Sequence, residues 1–292
     1  MKYTGPIYRP PYEGGSLLLQ VTVGCAHNKC TFCTMYRDTK FATESIEQVE
    51  KDLKEARKIH KSVKRIFLVN GDAFVLGANR LKPIAQKIIK YFPEVEIITM
   101  YAHINNIKGK TDEELKDLAA LRINDLWVGA ETGHGEALKY LNKGFDLEES
   151  RKQLKRLGNA GIRFIYGLMY GAAGKGNGVE NALANAKLIN ETKPMGLAPT
   201  TLNPNPGTKL WDDVENGEFV VANEGEIFEE MITLFENVDI DGLQYLGRHA
   251  INTIPFDAIL PRDKKKAIEM INSTIDKAGK DYLDSIPKRH TI

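Results

Sequence analysis

The segment QVTVGCAHNKCTFCTMYRDTKF, residues 20–41, carries all three cysteines of the chain. Cys25, Cys30 and Cys33 follow a C-x4-C-x2-C spacing, which puts three thiols on one short loop. Three thiolates that converge from such a loop can hold three corners of a cubane iron–sulfur cluster. A zinc site normally takes a fourth Cys or His, and His27 inside the loop could supply it. The spacing therefore favours an iron–sulfur cluster with one open iron and leaves zinc as the alternative.

The composition is that of an ordinary globular protein of 292 residues, with 42% hydrophobic and 27% charged residues. A formal net charge of +1 gives no overall attraction to nucleic acid or to an anionic membrane. The N-terminus lacks an apolar signal region, and no stretch approaches the 18 apolar residues of a membrane span. We therefore expect a cytoplasmic protein without membrane association. In that reducing compartment, a metal or redox role for the cysteines is favoured over disulfides.

Six short apolar segments rich in β-branched and aromatic residues alternate with helical patterns. Segments of this kind, bounded by Gly, Asn or Asp, are typical of strands buried on both faces of a parallel sheet. The six are SLLLQVTV from Ser16, RIFLV from Arg65, EVEIITMYA from Glu94, DLWVGA from Asp125, IRFIYGLMY from Ile162 and MGLAPTTL from Met195. Repeated strand–helix units predict right-handed crossovers, so the predicted fold is α/β, a partial (β/α)6 TIM-like barrel.

The helices between these strands are predicted from their apolar periodicity. They cover Thr43–His60, Leu81–Tyr91, Asp112–Leu121, Gly135–Asn142, Leu147–Asn159 and Gly178–Asn190. After Pro206 the pattern changes to two further helices, at Glu224–Phe235 and within Leu260–Ala278. We therefore predict a barrel core over residues 1–215 and a small C-terminal helical cap over residues 216–292, packed on the barrel.

The predicted barrel gives the cysteine loop a position suited to a cofactor. In a parallel barrel, functional groups gather at the C-terminal ends of the strands. The loop begins at Gly24, immediately after the first predicted strand. A cluster held there would face the same end of the barrel as the residues that follow the other strands.

The cysteine loop, with Phe32 before the last cysteine, resembles that of the radical S-adenosylmethionine (SAM) superfamily, and the resemblance extends over most of the chain. NGDAF, residues 70–74, is similar to the Gly-Gly-Glu-type segment of that family. VGAETGHGEALKYLNKG (128–144), IYGLMYGAAGKG (165–176) and NPNPGTKLWDDVENGEF (203–219) resemble the coproporphyrinogen-oxidase-like and Elongator-like branches.

Three positions depart from the family pattern. The first gap of the cysteine motif has four residues, where three are usual. Asp72 stands where the family carries a longer Glu. Arg163 stands where the coproporphyrinogen oxidases carry an acid that helps to hold SAM. These differences argue against their particular activity.

The resemblance implies that Cys25, Cys30 and Cys33 bind a [4Fe–4S] cluster whose open iron chelates SAM. Reduction would then cleave SAM to methionine and a 5′-deoxyadenosyl radical. The residues that the resemblance assigns to SAM are Phe32, Asn70, Gly71, Asp72, Glu131 and Lys143.

Their implied roles differ. Phe32 lies near the adenine, residues 70–72 receive the methionine amino group, Glu131 accepts from the ribose, and Lys143 pairs with the carboxylate. The ordinary interpretation of Glu131 is a helix cap, and that of Lys143 is a solvated helix terminus.

The cysteine count restricts the chemistry that the resemblance implies. An auxiliary cluster, or a methyl-carrying cysteine with a helper, needs more thiols than three. No cobalamin-binding D-x-H-x-x-G segment is present. Hydrogen-atom abstraction from a small-molecule or cofactor-type substrate is thus favoured, with a one-electron donor such as flavodoxin or ferredoxin.

Aromatic and histidine residues at the predicted strand ends are the candidates for contact with the substrate. A tyrosine can return a hydrogen atom, and a histidine can act as acid or base near neutral pH. These candidates are Tyr36, Tyr101, His103, Tyr166 and Tyr170, with His134 nearby. A packing role is the ordinary interpretation of each.

Two other functions stay open at this point. A haem-trafficking chaperone built on the same barrel would use a surface histidine such as His249 or His290. An RNA-modifying enzyme would use the basic residues of Lys51–Arg65 against phosphates. Acidic residues interleave with those basic ones and the net charge is close to zero, so nucleic acid is the less favoured partner.

Overall fold

A computed structural model describes residues 1–289 of the chain. These residues cluster into two compact units. The first unit comprises residues 1–28, 35–129 and 152–164. The second comprises residues 29–34, 130–151 and those from 165 onward.

The strands of the first unit follow the predicted parallel arrangement. They are β1 (Leu17–Gln20), β2 (Thr22–Val23), β3 (Ala42–Thr43), β4 (Arg65–Val69), β5 (Ile97–Ala102) and β6 (Asp125–Glu131), the last of which also contributes to the second unit. β1, β4, β5 and β6 are neighbours in that order. Leu17 lies opposite Ile66 and Phe67 opposite Thr99 in parallel register. β2 and β3 form a short antiparallel pair.

The helices of the first unit cover this sheet with apolar faces. They are α1 (Ile46–Ile59), α2 (Ala78–Tyr91), α3 (Ile104–Lys108) and α4 (Asp112–Ala120). α1 lies within the predicted range Thr43–His60 and begins where the Ser45 side chain accepts from the Gln48 backbone N–H. Its residues at helical spacing, Val49, Leu53 and Ala56, are all fully buried.

A cluster of charges lies at the N-terminal ends of β4 and β6. Arg65 donates to Glu13 at 2.6 Å and to Asp125 at 2.8 Å, and both carboxylates are buried. Burial alone would raise the pKa of Glu13, but hydrogen bonds from Arg65 and Ser16 hold it below its usual value. Arg163, at the start of the next strand, pairs with Asp125 at 2.7 Å. Arg163 is therefore an ion-pairing residue at the N-terminal end of its strand.

The second unit contains the remaining strands and most of the remaining helices. The strands are β7 (Arg163–Tyr170), β8 (Gly196–Thr201), β9 (Leu243–Leu246) and β10 (Asp257–Leu260). The helices are α5 (Gly135–Tyr140), α7 (Gly178–Thr192), α8 (Lys209–Glu215), α9 (Glu224–Asn237), α10 (Lys264–Lys277) and α11 (Lys280–Leu283). Helix α6 (Leu147–Asn159) and strand β7 each contribute residues to both units. β7 and β9 both pair in parallel with β8, whereas β10 is antiparallel to β9.

All six strands predicted from the sequence are present, each followed by a helix, so the α/β class is confirmed. The segment after residue 216 contains helices as predicted, but also β9 and β10, which the sequence analysis did not predict. The division into residues 1–215 and 216–292 remains a prediction. Within residues 1–289, no helix is long and apolar enough to cross a membrane.

Candidate active site

Gly71 brings the NGDAF segment against the first cysteine. A Cβ atom at this position would lie 2.8 Å from the Cys25 Cβ, 2.8 Å from the Tyr36 ring and 2.9 Å from the Gly24 carbonyl oxygen. Such distances exclude any side chain, because real Cβ atoms do not approach other heavy atoms so closely. The glycine therefore allows the loop after β4 to pack directly on the cysteine loop.

Asp72 fixes the same contact by a hydrogen bond. Its Oδ1 atom accepts from the Ala26 backbone N–H at 3.0 Å, and the side chain is buried. The sequence analysis assigned Asp72 to the amino group of SAM. The structure gives this carboxylate a contact with the backbone of the cysteine loop, one residue after Cys25.

Asn70 presents a buried acceptor that the protein leaves unsatisfied. Its backbone N–H donates to the Thr22 hydroxyl at 3.1 Å, and its Nδ2 lies 3.4 Å from the Thr22 carbonyl oxygen. The Oδ1 atom is buried and has no hydrogen-bond partner among residues 1–289. A buried acceptor without a donor costs about 1–3 kcal/mol. A bound ammonium group, such as the amino group of SAM, would satisfy it.

Two of the candidate tyrosines pack within the first unit. The Tyr36 ring meets the edge of Tyr8 at 5.4 Å and is almost fully buried. The Tyr101 ring contacts Phe67 in the same geometry at 5.2 Å. Burial, with the charges of Tyr36 and Glu13, raises the pKa of Tyr101 well above its usual value. The hydroxyl of Tyr101 therefore stays protonated at any physiological pH.

His103 lies directly after β5 and caps α3. Its Nδ1 atom accepts from the Asn105 backbone N–H at 3.2 Å, and its backbone N–H donates to Asn106 at 2.8 Å. The imidazole stacks on that of His27, with ring centroids 4.8 Å apart. His103 thus contacts a residue of the cysteine loop, although its own backbone follows a different strand.

The second and third cysteines are held in the second unit by the backbone of the residue between them. Thr31 donates its N–H to the Leu141 carbonyl oxygen at 3.2 Å. Its own carbonyl oxygen accepts from the Leu210 N–H at 3.0 Å. The Cys33 N–H lies 3.4 Å from the Cys30 carbonyl oxygen, which closes a turn. This turn is therefore anchored to two segments that resemble the superfamily, residues 128–144 and 203–219.

Phe32 points into an apolar cluster. The buried members of this cluster are Ala137, Leu141, Met169, Ala172, Leu202 and Leu210. Phe32 itself is partly buried against them. Its implied contact with adenine stays a prediction, and the packing supplies a rigid support for such a contact.

Glu131 and Lys143, which the resemblance assigned to separate groups of SAM, pair with each other. The Lys143 Nζ donates to the Glu131 Oε1 at 2.9 Å, and the two side chains are 7% and 14% exposed. Burial alone would lower the pKa of Lys143, but Glu131, and the nearby Cys30 and Cys33, raise it well above its usual value. Lys143 is therefore a buried cation beside two of the three thiols.

Glu131 also has unusual backbone geometry. It is the last residue of β6 and adopts a φ of 67°, in the left-handed region that disfavours residues with a Cβ. Such strain is found where surrounding contacts over-determine a functional residue. Nothing in the sequence indicated this conformation.

The other candidates of the second unit are engaged in buried hydrogen bonds. The Tyr166 hydroxyl donates to the Asn185 Oδ1 at 3.0 Å, and the Tyr170 hydroxyl lies 3.2 Å from that of Tyr245. Burial raises the pKa of both Tyr166 and Tyr170 well above the usual value. His134 caps α5, where its Nδ1 accepts from the Ala137 N–H at 3.2 Å.

Sequence reasoning missed Thr22 and Thr31, which hold Asn70 and the cysteine turn in place. Their contacts join segments that are far apart in the chain, so no local spacing could reveal them.

His249, a candidate haem ligand, is half-buried, and burial lowers its pKa. His290, the other candidate, lies outside the described residues.

The donor set fits an iron–sulfur cluster. All three cysteines are of intermediate exposure, and none forms a disulfide. Thiolates are the ligands that such clusters take. Within residues 1–289, no three His, Cys, Asp or Glu side chains lie close enough together to hold a single metal ion.

Comparison with known proteins identifies the family. The model of the "Radical SAM superfamily" matches residues 19–175. An uncharacterised protein of Methanocaldococcus jannaschii is 24% identical over 255 residues, which cover 81% of this chain and 74% of that protein.

Three solved structures share the fold. The methyltransferase TsrM of Kitasatospora setae has a TM-score of 0.56 at 16% identity, over 70% of this chain and 39% of that chain. The archaeal Elp3 of Methanocaldococcus infernus gives 0.55 at 14%, over 90% and 63%. Coproporphyrinogen III oxidase (HemN) of Escherichia coli gives 0.52 at 18%, over 76% and 52%. The chain thus spans less than two thirds of each of these proteins, and such low identities show the fold alone.

The fold of these structures agrees with the partial TIM-like barrel that the sequence predicted. Because the family model spans more than half of the chain, the protein belongs to the radical SAM superfamily and is an enzyme of that class, whose cofactors are a [4Fe–4S] cluster and S-adenosylmethionine.

Proposed function

We propose that the protein binds a [4Fe–4S] cluster through Cys25, Cys30 and Cys33 and cleaves SAM reductively to abstract hydrogen from a small-molecule or cofactor-type substrate. Bound together, the cluster and SAM supply a 5′-deoxyadenosyl radical and methionine. The role of the protein is to position these groups, to hold their charges and to exclude water from them.

The observation that carries the proposal is the place of Lys143. Its ammonium is buried beside Cys30 and Cys33 and is already paired with one carboxylate, Glu131. A cation so placed can offset the negative charge of cluster thiolates and hold the carboxylate of SAM. A lysine that served only as a solvated helix end would not be 6% exposed.

Asn70 supports the proposal independently within the first unit. Its unsatisfied Oδ1 is an acceptor in a buried place, and Gly71 and Asp72 hold it next to the backbone of the cysteine loop. The amino group of SAM is a donor that this acceptor fits. The segment of residues 70–72 would therefore hold the methionine part of SAM by its amine.

The buried aromatic residues give the site its dry surroundings. Tyr166 and Tyr170 are almost fully buried and stay protonated at neutral pH. Their hydroxyls are occupied by Asn185 and Tyr245, so we infer a supporting role for both tyrosines. Exclusion of water protects a reactive radical from side reactions.

The relatives suggest, but do not fix, the substrate. TsrM is a methyltransferase whose structure contains tryptophan and a SAM analogue. HemN oxidises coproporphyrinogen III. Both are larger than this chain, and we propose only the broader class, a small molecule or a cofactor precursor. A flavodoxin or ferredoxin is the proposed electron donor.

The test is an anaerobic reaction of the reconstituted protein with SAM and dithionite. We expect 5′-deoxyadenosine, detected by mass spectrometry, in amounts that depend on the cluster. The matched control is the Cys25→Ala/Cys30→Ala/Cys33→Ala triple variant, which should form neither the cluster nor the product.

Two results would contradict the proposal. A loaded cluster that yields no 5′-deoxyadenosine would remove the radical reaction. Methylthioadenosine or another fragment in its place would indicate a different cleavage of SAM. Haem added to the same protein should give no Soret band, and a Soret band would favour the haem-binding alternative.

A further inference from the structure

A buried chain of hydrogen bonds runs from the loop after β6 to helix α9. The His134 backbone N–H donates to the Thr132 hydroxyl at 2.9 Å, and that hydroxyl donates to the Asn181 Oδ1 at 2.5 Å. The Asn181 Nδ2 then donates to the Glu230 Oε1 at 2.5 Å. Thr132, Asn181 and Glu230 are all at most 1% exposed. Each step has one donor and one acceptor, so the chain has a single direction, from the loop to the carboxyl group.

A second branch holds the neighbouring residue of the same loop. The Gly133 backbone N–H donates to the Asn185 Oδ1 at 2.9 Å, and the Tyr166 hydroxyl donates to the same oxygen at 3.0 Å. The Asn185 Nδ2 donates to the Asn181 carbonyl oxygen at 2.9 Å, which joins the two branches on one face of α7. Thr132, Asn181, Asn185 and Glu230 together form what we term the Glu230 network.

The backbone of α7 presses directly on this loop. A Cβ at Gly133 would lie 2.4 Å from the Ala184 carbonyl oxygen, so no side chain is possible there. The loop can therefore neither move toward α7 nor take another residue at position 133. Its conformation is determined by α7 on one side and by hydrogen bonds at two consecutive residues.

Glu230 also reaches the loop after β7. Its Oε2 accepts from the Gly171 backbone N–H at 2.8 Å. One carboxyl group thus ties together the backbone ends of β6, through Asn181 and Thr132, and of β7. The sequence analysis found both of these segments to resemble the superfamily, but it gave Glu230 no role.

Glu131 immediately precedes Thr132 and carries the left-handed φ of 67°. That conformation costs about 1–2 kcal/mol for a residue with a Cβ. Hydrogen bonds at Thr132 and Gly133 can offset this cost, because they hold the loop in the conformation that Glu131 adopts. In this conformation Glu131 pairs with Lys143 at 2.9 Å.

We propose that Thr132, Asn181, Asn185 and Glu230 are positioning residues, which hold Glu131 in the strained conformation that pairs it with Lys143 and so preform the SAM-binding side of the second unit. The inference rests on the proposed function, because it assigns a purpose to that geometry. None of the four residues needs to contact SAM itself.

The test compares two isosteric substitutions. Thr132→Val removes the hydroxyl that links the loop to Asn181 and leaves the volume almost unchanged. Thr192→Val is the matched control, because this buried threonine lies on α7 and its hydroxyl bonds only within the helix, to the Leu188 carbonyl oxygen at 2.7 Å. A second comparison of variant and control can be made on α9, with Glu230→Gln as the variant and Glu229→Gln, at an exposed neighbouring residue, as the control.

Two measurements decide the outcome. In the cluster-loaded enzyme, Thr132→Val should weaken SAM binding at least about tenfold in equilibrium dialysis, the equivalent of one ordinary hydrogen bond. Thr192→Val should change the Kd less than about twofold, within the scatter of a neutral substitution. In the cluster-free protein, amide exchange at Gly133 and His134 should become faster in Thr132→Val and stay unchanged in Thr192→Val.

If Thr132→Val matches Thr192→Val in both SAM affinity and exchange, the proposal is overturned. If the wild-type enzyme binds no SAM, the proposed function fails, and the exchange experiment alone decides whether the network positions Glu131. A cluster content that falls equally in both variants would show a general loss of stability, and would overturn the assignment of a specific positioning role.

Discussion

Replacement of Lys143 by methionine separates two roles that the sequence and the structure assign to this residue. The resemblance makes Lys143 a ligand for the SAM carboxylate, whereas the structure pairs it with Glu131 at 2.9 Å. Methionine keeps the length of the side chain and removes the charge. The substitution therefore leaves Glu131 as a carboxylate with no cation in a place where it is 14% exposed.

The magnitude of the effect follows from burial. Removing one partner of a buried ion pair costs about 3–5 kcal/mol, because the remaining charge is uncompensated. Glu131 retains some contact with water, so we expect the lower end, about 3 kcal/mol of folding free energy. The loss of a charged contact to the SAM carboxylate adds about 2 kcal/mol to binding, which corresponds to a Kd about 30-fold higher.

The assay is a double-mutant cycle read in two ways. Wild type, Lys143→Met, Glu131→Gln and the double variant are unfolded in denaturant without the cluster, and their SAM affinity is measured with it. The double variant should lose about 2 kcal/mol less unfolding free energy than the sum of the losses in the two single variants, because each single variant already lacks the ion pair. Lys139→Met changes an exposed lysine of the preceding helix α5; it is the matched control and should be close to wild type.

Two results would refute this reasoning. Additive stabilities across the cycle would mean that the pair contributes nothing to folding. Wild-type SAM affinity in a fully loaded Lys143→Met enzyme would mean that Lys143 is not a SAM ligand, and that its charge serves only Glu131 and the thiolates of Cys30 and Cys33.

Three further predictions follow from the same structure. Arg65→Met leaves Glu13 and Asp125 buried without their shared cation and should lower the free energy of unfolding by about 3 kcal/mol at pH 7. The loss should be smaller as the pH falls toward 4.5, because Glu13 can then be protonated. Arg163→Met, which removes a side chain that is 57% exposed, should lower it by less than about 1 kcal/mol. Burial raises the pKa of Glu230 to about 8, so the folded state holds a proton that the unfolded state loses near 4.5. This group makes stability fall by about 1.4 kcal/mol per pH unit, and the fall should be seen between pH 6.5 and 8, above the range in which His249 opposes it. The slope should be smaller in Glu230→Gln, but not in Glu229→Gln. Gly71→Ala places a Cβ 2.8 Å from that of Cys25 and should lower the iron content after reconstitution, which Gly135→Ala, with open space around it, should not.

The pH prediction for Glu230 depends on what surrounds its carboxyl group. Its hydrogen-bond donors are Gly171 and Asn181, and its charge helps to raise the pKa of Tyr170. Desolvation outweighs both hydrogen bonds, which alone would lower the pKa. Below pH 6.5 the lowered pKa of His249 has the opposite effect on stability, so the test lies above that pH. A wild-type stability that does not fall between pH 6.5 and about 8 would contradict this assignment.

The sequence predicted the strands of the parallel sheet because each is a continuous apolar segment bounded by turn residues. It also predicted the helices closely, as with α1, which was expected over Thr43–His60 and spans Ile46–Ile59. Strands β9 and β10 were missed. Each has only four residues, and both lie between helical patterns with far stronger periodicity.

The sequence predicted which residues belong to the site but not which of them contact each other. The cysteine spacing and the separate roles of Glu131 and Lys143 could be proposed from the chain alone, yet their ion pair could not, because the residues lie twelve apart on different elements. Buried acids such as Glu230 are hard to recognise in sequence. Helix α9 carries several glutamates, and only the fold decides which one faces inward.

The arrangement around β6 suggests a common physical reason for these features. A cation beside cluster thiolates must be kept dry to act strongly, since its interactions weaken in water. A dry cation needs a partner when SAM is absent, because an isolated buried charge costs several kcal/mol. Glu131 supplies that partner for Lys143, and the cost of its left-handed conformation is met by hydrogen bonds farther from the thiols. The chain thus keeps the charge in place, and under the proposed function SAM would have only to share a cation that is already positioned.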